Sequence, residues 1–197
     1  AGDSSVTMRI KFDVSEYERI FLPIQRHPII HNFSDAGQCQ TPVVCYSLEE
    51  VLAEKLRSWI QRTRPRDLFD VVKIIQSQAI PISKTNILST FLKKTIFKRI
   101  PIAGRDEMLY EPKFLLIARD WDQTIICPSA TMIIAGNAIA LFKDFVQALF
   151  DPEVLKAIGV ALSSNVHYEY DIRSGARETI IQAGRSRQLI RMRYHGV

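Results

Sequence analysis

Apolar and polar residues alternate strictly at the start of the chain. Apolar side chains occupy every even position from 6 to 14, whereas Arg9, Lys11 and Asp13 lie between them. A period of two predicts a half-buried strand with these three charged residues on its polar face. Asp13 is then either a surface residue paired with basic neighbours on the sheet or a carboxylate that faces a site.

A helical pattern follows in the middle of the chain. Ser47 and Glu50 have the spacing of a capping box, which predicts a helix that begins near Leu48. The apolar positions at spacings of three and four are Leu48, Val51, Leu52, Leu56, Trp59 and Ile60. Lys55 lies beside this stripe, so its ammonium should emerge at the border of the core. Arg62 follows on the same edge, two turns or roughly 10 Å along the helix.

A second helix should start at Pro65, because proline fits the first turn of a helix. Arg66, Asp67 and Asp70 then lie close to its start, with both carboxylates on one face. Structural roles are open to each residue: carboxylates favour a helix N-terminus, and Lys55 could simply cover the core with its stem. The joint spacing of these charges is what favours a binding site.

The pattern beyond residue 80 predicts mostly helices. Ser83 can cap a helix whose inward residues are Ile87, Leu88, Phe91, Leu92 and Phe97. Further helices are predicted over residues 112–121, over residues 137–150 and after residue 152. In the last thirty residues, weak alternation over residues 166–171 and again over 189–194 flanks a helical pattern over 175–187. This segment is predicted to form a short helix and a strand.

Composition indicates an intracellular globular protein. The 197 residues are 47% hydrophobic and 24% charged, enough for one good core or two small ones. Apolar runs between residues 132 and 142 are interrupted by Asn137 and Lys143, so we expect no membrane span and a cytoplasmic location. The cysteines, Cys39, Cys45 and Cys127, lack zinc spacing and suit a reducing compartment.

Histidine spacing and net charge add little chemistry of their own. His27 and His31 are four residues apart, but Pro28 argues against the helix that would make them a metal pair. The net charge is +5, with basic clusters in residues 55–66, 84–105 and 173–193. Such clusters attract phosphates and are compatible with an RNA substrate, although solvent-exposed helix faces explain most of this charge equally well.

Two adjacent motifs carry a family resemblance. Lys55-Leu56, five residues and Arg62 form the first, and Arg64-Pro65-Arg66-Asp67 with Asp70 forms the second. Together they resemble the AbiEii family of nucleotidyltransferase toxins over roughly residues 6 to 80, with Arg66 where that family usually has lysine. The resemblance implies an α+β fold: a remnant of the nucleotidyltransferase sheet in residues 1–80, a helical domain in 81–163 and a helix–strand segment in 164–197.

The resemblance also implies chemistry. An enzyme of this type transfers a nucleotide from an NTP to an acceptor, with tRNA expected here, as the toxin of a toxin–antitoxin or phage-defence pair. Lys55 would neutralise the triphosphate, Arg62 would support it or the acceptor phosphate, and Asp67 would act as base or metal ligand. Asp70 would position Arg66. Asp13 would complete a Mg²⁺ site, and a cognate antitoxin would be the protein partner.

The chain also departs from this family. A Gly-Ser followed about ten residues later by Asp-x-Asp is not found, and Asp120-Trp121-Asp122 lacks the preceding Gly-Ser and lies in a predicted helix. We therefore interpret the sequence as a fragment with little or no transferase activity. Residues 184–196 are similar to the start of WYL ligand-sensing domains. The alternative function is thus a non-catalytic regulatory protein that binds nucleotide or nucleic acid.

Overall fold

Helices account for most of the secondary structure. The computed structural model describes residues 17–77, 81–100 and 103–159. Its two strands are β1 (Gln25–His27) and β2 (Val43–Cys45), and its helices are α1 (Leu48–Arg62), α2 (Pro65–Gln76), α3 (Lys84–Phe97), α4 (Arg105–Met108), α5 (Glu111–Thr124), α6 (Ala135–Leu149) and α7 (Pro152–Ala157). This mainly helical arrangement with a small antiparallel sheet confirms the predicted α+β class.

The sheet is a small hairpin that leads into α1. Strands β1 and β2 pair antiparallel with Arg26 opposite Val44, and most of their side chains are exposed. Residues 28–42 connect the strands and contain a 3₁₀ turn at Ala36–Gln38. A two-stranded sheet of this size is only marginally stable by itself.

Helix α1 begins where the sequence predicts, but only half of the capping box forms. The Ser47 hydroxyl accepts a hydrogen bond from the Glu50 backbone N–H at 3.2 Å. The Glu50 carboxylate turns away and instead accepts from the backbone N–H groups of Phe21 and Leu22. Glu50 therefore joins the segment before β1 to α1, a long-range role that local spacing does not reveal.

The core lies between the long helices. Helix α1 packs mainly on α3 and α2, and α2 also packs on α6 and α5. Trp59 of α1 is fully buried, with its ring centroid 5.0 Å from that of Phe142 and 5.5 Å from that of Phe114. Helices on both sides of residue 80 thus share one hydrophobic cluster. The proposed division at that residue stays a prediction.

The later helices confirm the patterned positions with one exception. Ser83 and Asp151 cap α3 and α7, accepting hydrogen bonds from Asn86 N–H at 3.3 Å and Glu153 N–H at 2.9 Å. The inward placement of Phe97 was wrong, because this side chain is 42% exposed at the last residue of α3. Helix periodicity does not predict the burial of a terminal residue, since α3 ends at Phe97 and no further helical turn covers its ring.

The apolar segment Ser129–Leu149 includes α6. By length and composition it is sufficiently apolar to cross a membrane, and 28% of its most apolar stretch is buried within the protein. The inner face of α6 contributes Ala138, Phe142 and Val146 to the shared core. The predicted absence of a membrane span stays a prediction.

Two predicted elements lie outside the described residues. These are the strand over residues 6–14, which carries Asp13, and the segment over residues 164–197.

Candidate functional site

The candidate site is built at the corner between α1 and α2. Helix α1 ends at Arg62, and α2 begins at Pro65. Thr63 between them has a left-handed backbone with φ of 43°, and both its N–H and its hydroxyl donate to the Trp59 carbonyl at 3.1 Å. A β-branched residue rarely adopts this conformation. The sharp turn brings the end of α1 beside the start of α2.

Asp67 is the centre of this corner. Its side chain is 2% exposed. Arg62 donates from Nε to Oδ2 at 2.8 Å and from Nη2 to Oδ1 at 2.9 Å, a bidentate pair. Lys55 Nζ adds a third hydrogen bond to Oδ1 at 3.3 Å. Both oxygens of this buried carboxylate are therefore bound by cations from α1.

Lys55 bridges two carboxylates of α2. Its Nζ lies 2.5 Å from Oδ2 of Asp70, in addition to the contact with Asp67. The Lys55 side chain is 27% exposed, which confirms that its ammonium emerges at the border of the core. We call Lys55, Arg62, Asp67 and Asp70 the corner network. Its two positive and two negative charges balance, and Lys55 and Arg62 keep further N–H donors for a ligand.

The pKa shifts follow from these contacts. Burial raises the pKa of Asp67, but the hydrogen bonds and charge of Arg62, followed by those of Lys55, outweigh burial and leave the pKa lowered. Burial likewise lowers the pKa of Lys55, but Asp70 and then Asp67 outweigh it and the pKa is raised. Asp67, Lys55 and Arg62 thus stay charged near neutral pH. This environment disfavours Asp67 as a general base, because its proton affinity is low and its oxygens are occupied.

A small cavity adjoins the network. It has a volume of about 210 Å³ and is lined by Arg66, Phe69, Asp70, Thr124, Ile125 and Ile126. Asp70 belongs to both the cavity and the corner network. Arg66 is exposed at the rim. The cavity is smaller than a typical ligand pocket of about 300–1,000 Å³, so it can hold only a small group or one part of a larger ligand.

Most of the predicted site residues thus come together. Lys55, Arg62, Asp67 and Asp70 form one network, and Arg66 lines the cavity beside it. The predicted role of Asp70 in positioning Arg66 stays a prediction. Within the described part of the chain, the ion-pair partner of Asp70 is Lys55, because the ammonium reaches the first turns of α2 from α1.

A Mg²⁺ ion does not fit the described carboxylates by themselves. Both oxygens of Asp67 are engaged by cations, and one oxygen of Asp70 faces Lys55. An ion between these carboxylates would meet two positive side chains at short range. Asp13, the predicted metal ligand, lies outside the described residues. Magnesium binding therefore stays a prediction that depends on the resemblance.

Sequence reasoning missed a second charged cluster, which surrounds Lys94 of α3. Lys94 is 4% exposed, and its Nζ lies 2.7 Å from Glu50 Oε1 and 3.4 Å from Glu54 Oε2. It also donates to the Arg19 carbonyl at 3.2 Å. The expectation that Lys94 belongs to an exposed basic cluster was wrong. The available signal was the pair Glu50 and Glu54, one turn apart on the face of α1 that meets α3.

The comparison with known families finds one family model that covers most of the chain. The family model described as "Nucleotidyl transferase AbiEii toxin, Type IV TA system" matches residues 1–147. The chain belongs to the AbiEii family. No curated protein and no solved structure matches it.

The match to the AbiEii family covers more of the chain than the two motifs indicate. The match continues past residue 80 to residue 147, and so includes α3 to α5 and nearly all of α6. Helices α3 to α6, which share a core with α1 and α2, thus lie almost entirely within the family domain. The Asp120-Trp121-Asp122 sequence lies within α5, where Asp120 pairs with Arg119. The WYL-like segment lies outside both the match and the described residues.

Proposed function

We propose that the corner network binds the phosphates of a nucleoside triphosphate and supports transfer of the nucleotide to an acceptor. The observation that carries this proposal is the buried Asp67, which holds Lys55 and Arg62 together at the surface. Here two cations from one helix converge on one carboxylate and remain partly exposed, at 27% and 47%.

Asp70 supplies the exchangeable contact. Its side chain is 43% exposed, so it can return to water when a phosphate replaces it at Lys55. Asp67 is 2% exposed and stays in place, keeping Lys55 and Arg62 in position. Asp67 therefore acts as a positioning residue in this scheme. The neighbouring cavity with Phe69 and Arg66 would hold another part of the nucleotide.

The role of the cations follows from the chemistry of transfer. The acceptor hydroxyl gives up its proton to solvent as its oxygen forms a bond to the α-phosphorus, the bond between that phosphorus and the α–β bridging oxygen breaks, and pyrophosphate leaves. Negative charge grows on the leaving pyrophosphate. Fixed positive groups lower the barrier most when they are preorganised at the place where charge develops. Lys55 and Arg62 meet this condition through Asp67.

We propose tRNA as the acceptor and the cytoplasm as the place of action, where both substrates are present. Family membership implies a cognate antitoxin as partner, and a role in phage defence would follow from it. Lys94 is buried and is therefore not available to RNA, so fewer residues of the basic cluster over residues 84–105 can form an RNA-binding surface. Lys84, Lys93 and Arg99 of that cluster remain exposed.

The test is calorimetric titration of the full chain with each NTP, with and without Mg²⁺. Binding should weaken more than about tenfold in Lys55→Ala, since a charge-assisted contact to phosphate contributes roughly 1.5–3 kcal/mol. Lys143→Ala is the matched control, because Lys143 forms a comparable ion pair with Glu111 at 2.6 Å, away from the corner. Equal affinities for both variants, or no binding by the parent chain at millimolar NTP, would refute the proposal.

A second measurement separates the enzyme from the alternative function. The chain is incubated with tRNA and an NTP labelled at the α-phosphate, and label on the tRNA is counted. Transfer that is lost in Lys55→Ala supports the transferase. Nucleotide binding without transfer is expected both of the non-catalytic binding protein and of a transferase fragment without the Gly-Ser and Asp-x-Asp motifs, so transfer is the outcome that separates the two functions.

A further inference from the structure

We infer that His31, Asp35 and Cys39 form a zinc site in the connection between β1 and β2. One donor atom from each residue lies within 4.8 Å of the other two. His31 Nε2 and Asp35 Oδ1 are already 2.7 Å apart. The site is distinct from the corner network and does not depend on the proposed nucleotide chemistry.

The backbone of the connection brings the three donors together. Ala36 N–H donates to the Phe33 carbonyl, and Cys39 N–H donates to the Ala36 carbonyl at 3.1 Å. These consecutive tight turns place Asp35 and Cys39 at the two ends of the 3₁₀ turn. The His31 ring packs against Phe33, with ring centroids 5.1 Å apart. The sequence argument against a metal site paired His31 only with His27. The other donors, Asp35 and Cys39, follow His31 in the chain.

The dimensions suit a small divalent ion. Three atoms within 4.8 Å of one another lie within about 2.8 Å of a common point, and zinc bonds of roughly 2.0–2.3 Å need only a small contraction. Rotation of the Asp35 and Cys39 side chains can supply this contraction, because Asp35 is exposed and Cys39 is half-buried. A water would complete the tetrahedron expected for a site with three protein ligands.

The donor set selects the class of metal. A thiolate, an imidazole and a carboxylate together favour Zn²⁺, whereas Mg²⁺ prefers oxygen ligands alone. The Cys39 thiol has no hydrogen-bond partner among the described residues, whereas Cys45 Sγ donates to the Val43 carbonyl and Cys127 Sγ contacts Met132 Sδ. On binding, the Cys39 thiol loses its proton to solvent. Zinc replaces the hydrogen bond between His31 Nε2 and Asp35 Oδ1, so the imidazole carries its proton on Nδ1 in the bound form and offers the Nε2 lone pair.

Zinc at this position would stabilise an exposed hairpin. The strands have three residues each, and their side chains are mostly exposed. A metal that joins residues 31, 35 and 39 would order the connection in the way that a disulfide closes a loop. The hairpin leads into α1, so its order would also fix the approach to the helix that carries Lys55.

The test uses Co²⁺ as a spectroscopic probe of the full chain under reducing conditions. The site predicts one bound ion, a thiolate-to-cobalt charge-transfer band and the intense visible bands of four-coordinate cobalt, all removed by added Zn²⁺. Cys39→Ser should abolish the charge-transfer band. His31→Gln and Asp35→Asn keep the thiol and should weaken binding by more than about tenfold, because each removes one of three protein ligands.

Matched controls are available in the same hairpin. Cys45→Ser and His27→Gln should keep the full spectrum, because neither residue belongs to the donor set. The inference would be overturned by a parent chain without the charge-transfer band, by a band that persists in Cys39→Ser, or by equal loss in Cys45→Ser. Zinc should also protect Cys39 from alkylation, measured by mass spectrometry of the parent chain, while Cys127 stays reactive. This readout requires no variant to fold.

Discussion

Arg62, the last residue of α1, forms a bidentate ion pair with Asp67 in the first turn of α2. Nε and Nη2 donate to the two carboxylate oxygens at 2.8 Å and 2.9 Å. Only the planar guanidinium can donate to both oxygens at once in this way. The pair closes the turn at Thr63 from one side and leaves the outer edge of the Arg62 guanidinium towards solvent, with the side chain 47% exposed.

Asp67→Asn should destabilise the protein. The amide keeps the shape but loses the charge, and its NH₂ group would face one of the two cations. We expect the free energy of unfolding to fall by about 2–3 kcal/mol, because charge-assisted hydrogen bonds to a buried group are lost. Asp120→Asn is the control, since Asp120 pairs with Arg119 at the exposed surface of α5. Chemical denaturation measures both, and equal losses would contradict the central role of Asp67.

Stability should fall in acid through the same carboxylate. The pKa of Asp67 is lowered from its ordinary value of 3.8, and that of Glu54, where burial is outweighed by Arg57 and Lys94, is lowered from 4.5. A carboxylate whose pKa is lower in the folded than in the unfolded protein contributes its full stabilisation at pH values above its unfolded-state pKa. This stabilisation is lost as the pH falls through the folded-state pKa. The free energies of unfolding of the parent chain and Asp67→Asn should therefore converge below about pH 4. A constant difference from pH 7 to pH 3 would contradict the assignment.

Local pattern predicted the helices and the corner because the signals lie within a few residues. Ser47 and Pro65 mark helix starts, and Lys55 and Arg62 share an edge of α1 by periodicity alone. The contacts that escaped prediction join residues far apart in sequence. Glu50 has a local capping position but bonds to residues 21, 22 and 94, and Lys94 was indistinguishable from the exposed Lys93 by composition.

The buried Lys94 should be more important for folding than its neighbour. Lys94→Met removes the partner of Glu50, which is 1% exposed, and should cost about 2–4 kcal/mol, because an uncompensated buried charge remains. Lys93→Met changes the same residue type on the exposed face of α3 and should have little effect. Lys94 also holds the Arg19 carbonyl, so tryptic cleavage after Arg19 should accelerate in Lys94→Met alone. Equal cleavage rates in both variants would contradict this anchor.

Arg62→Lys separates charge from geometry at the proposed phosphate site. Lysine keeps the positive charge, but its ammonium cannot make the parallel pair of hydrogen bonds to Asp67. If the guanidinium geometry aligns the outer donors with phosphate, NTP affinity should fall by about tenfold, since one charge-assisted contact of at least 1.4 kcal/mol is lost. Arg57→Lys is the control on the same helix, because Arg57 pairs with Glu54 on another face. Calorimetry measures the NTP affinity, which reports the donors that face the ligand, and thermal denaturation measures stability, which reports the structural contact. Unchanged NTP affinity in Arg62→Lys together with a drop in thermal stability would mean that the ion pair only stabilises the helix corner.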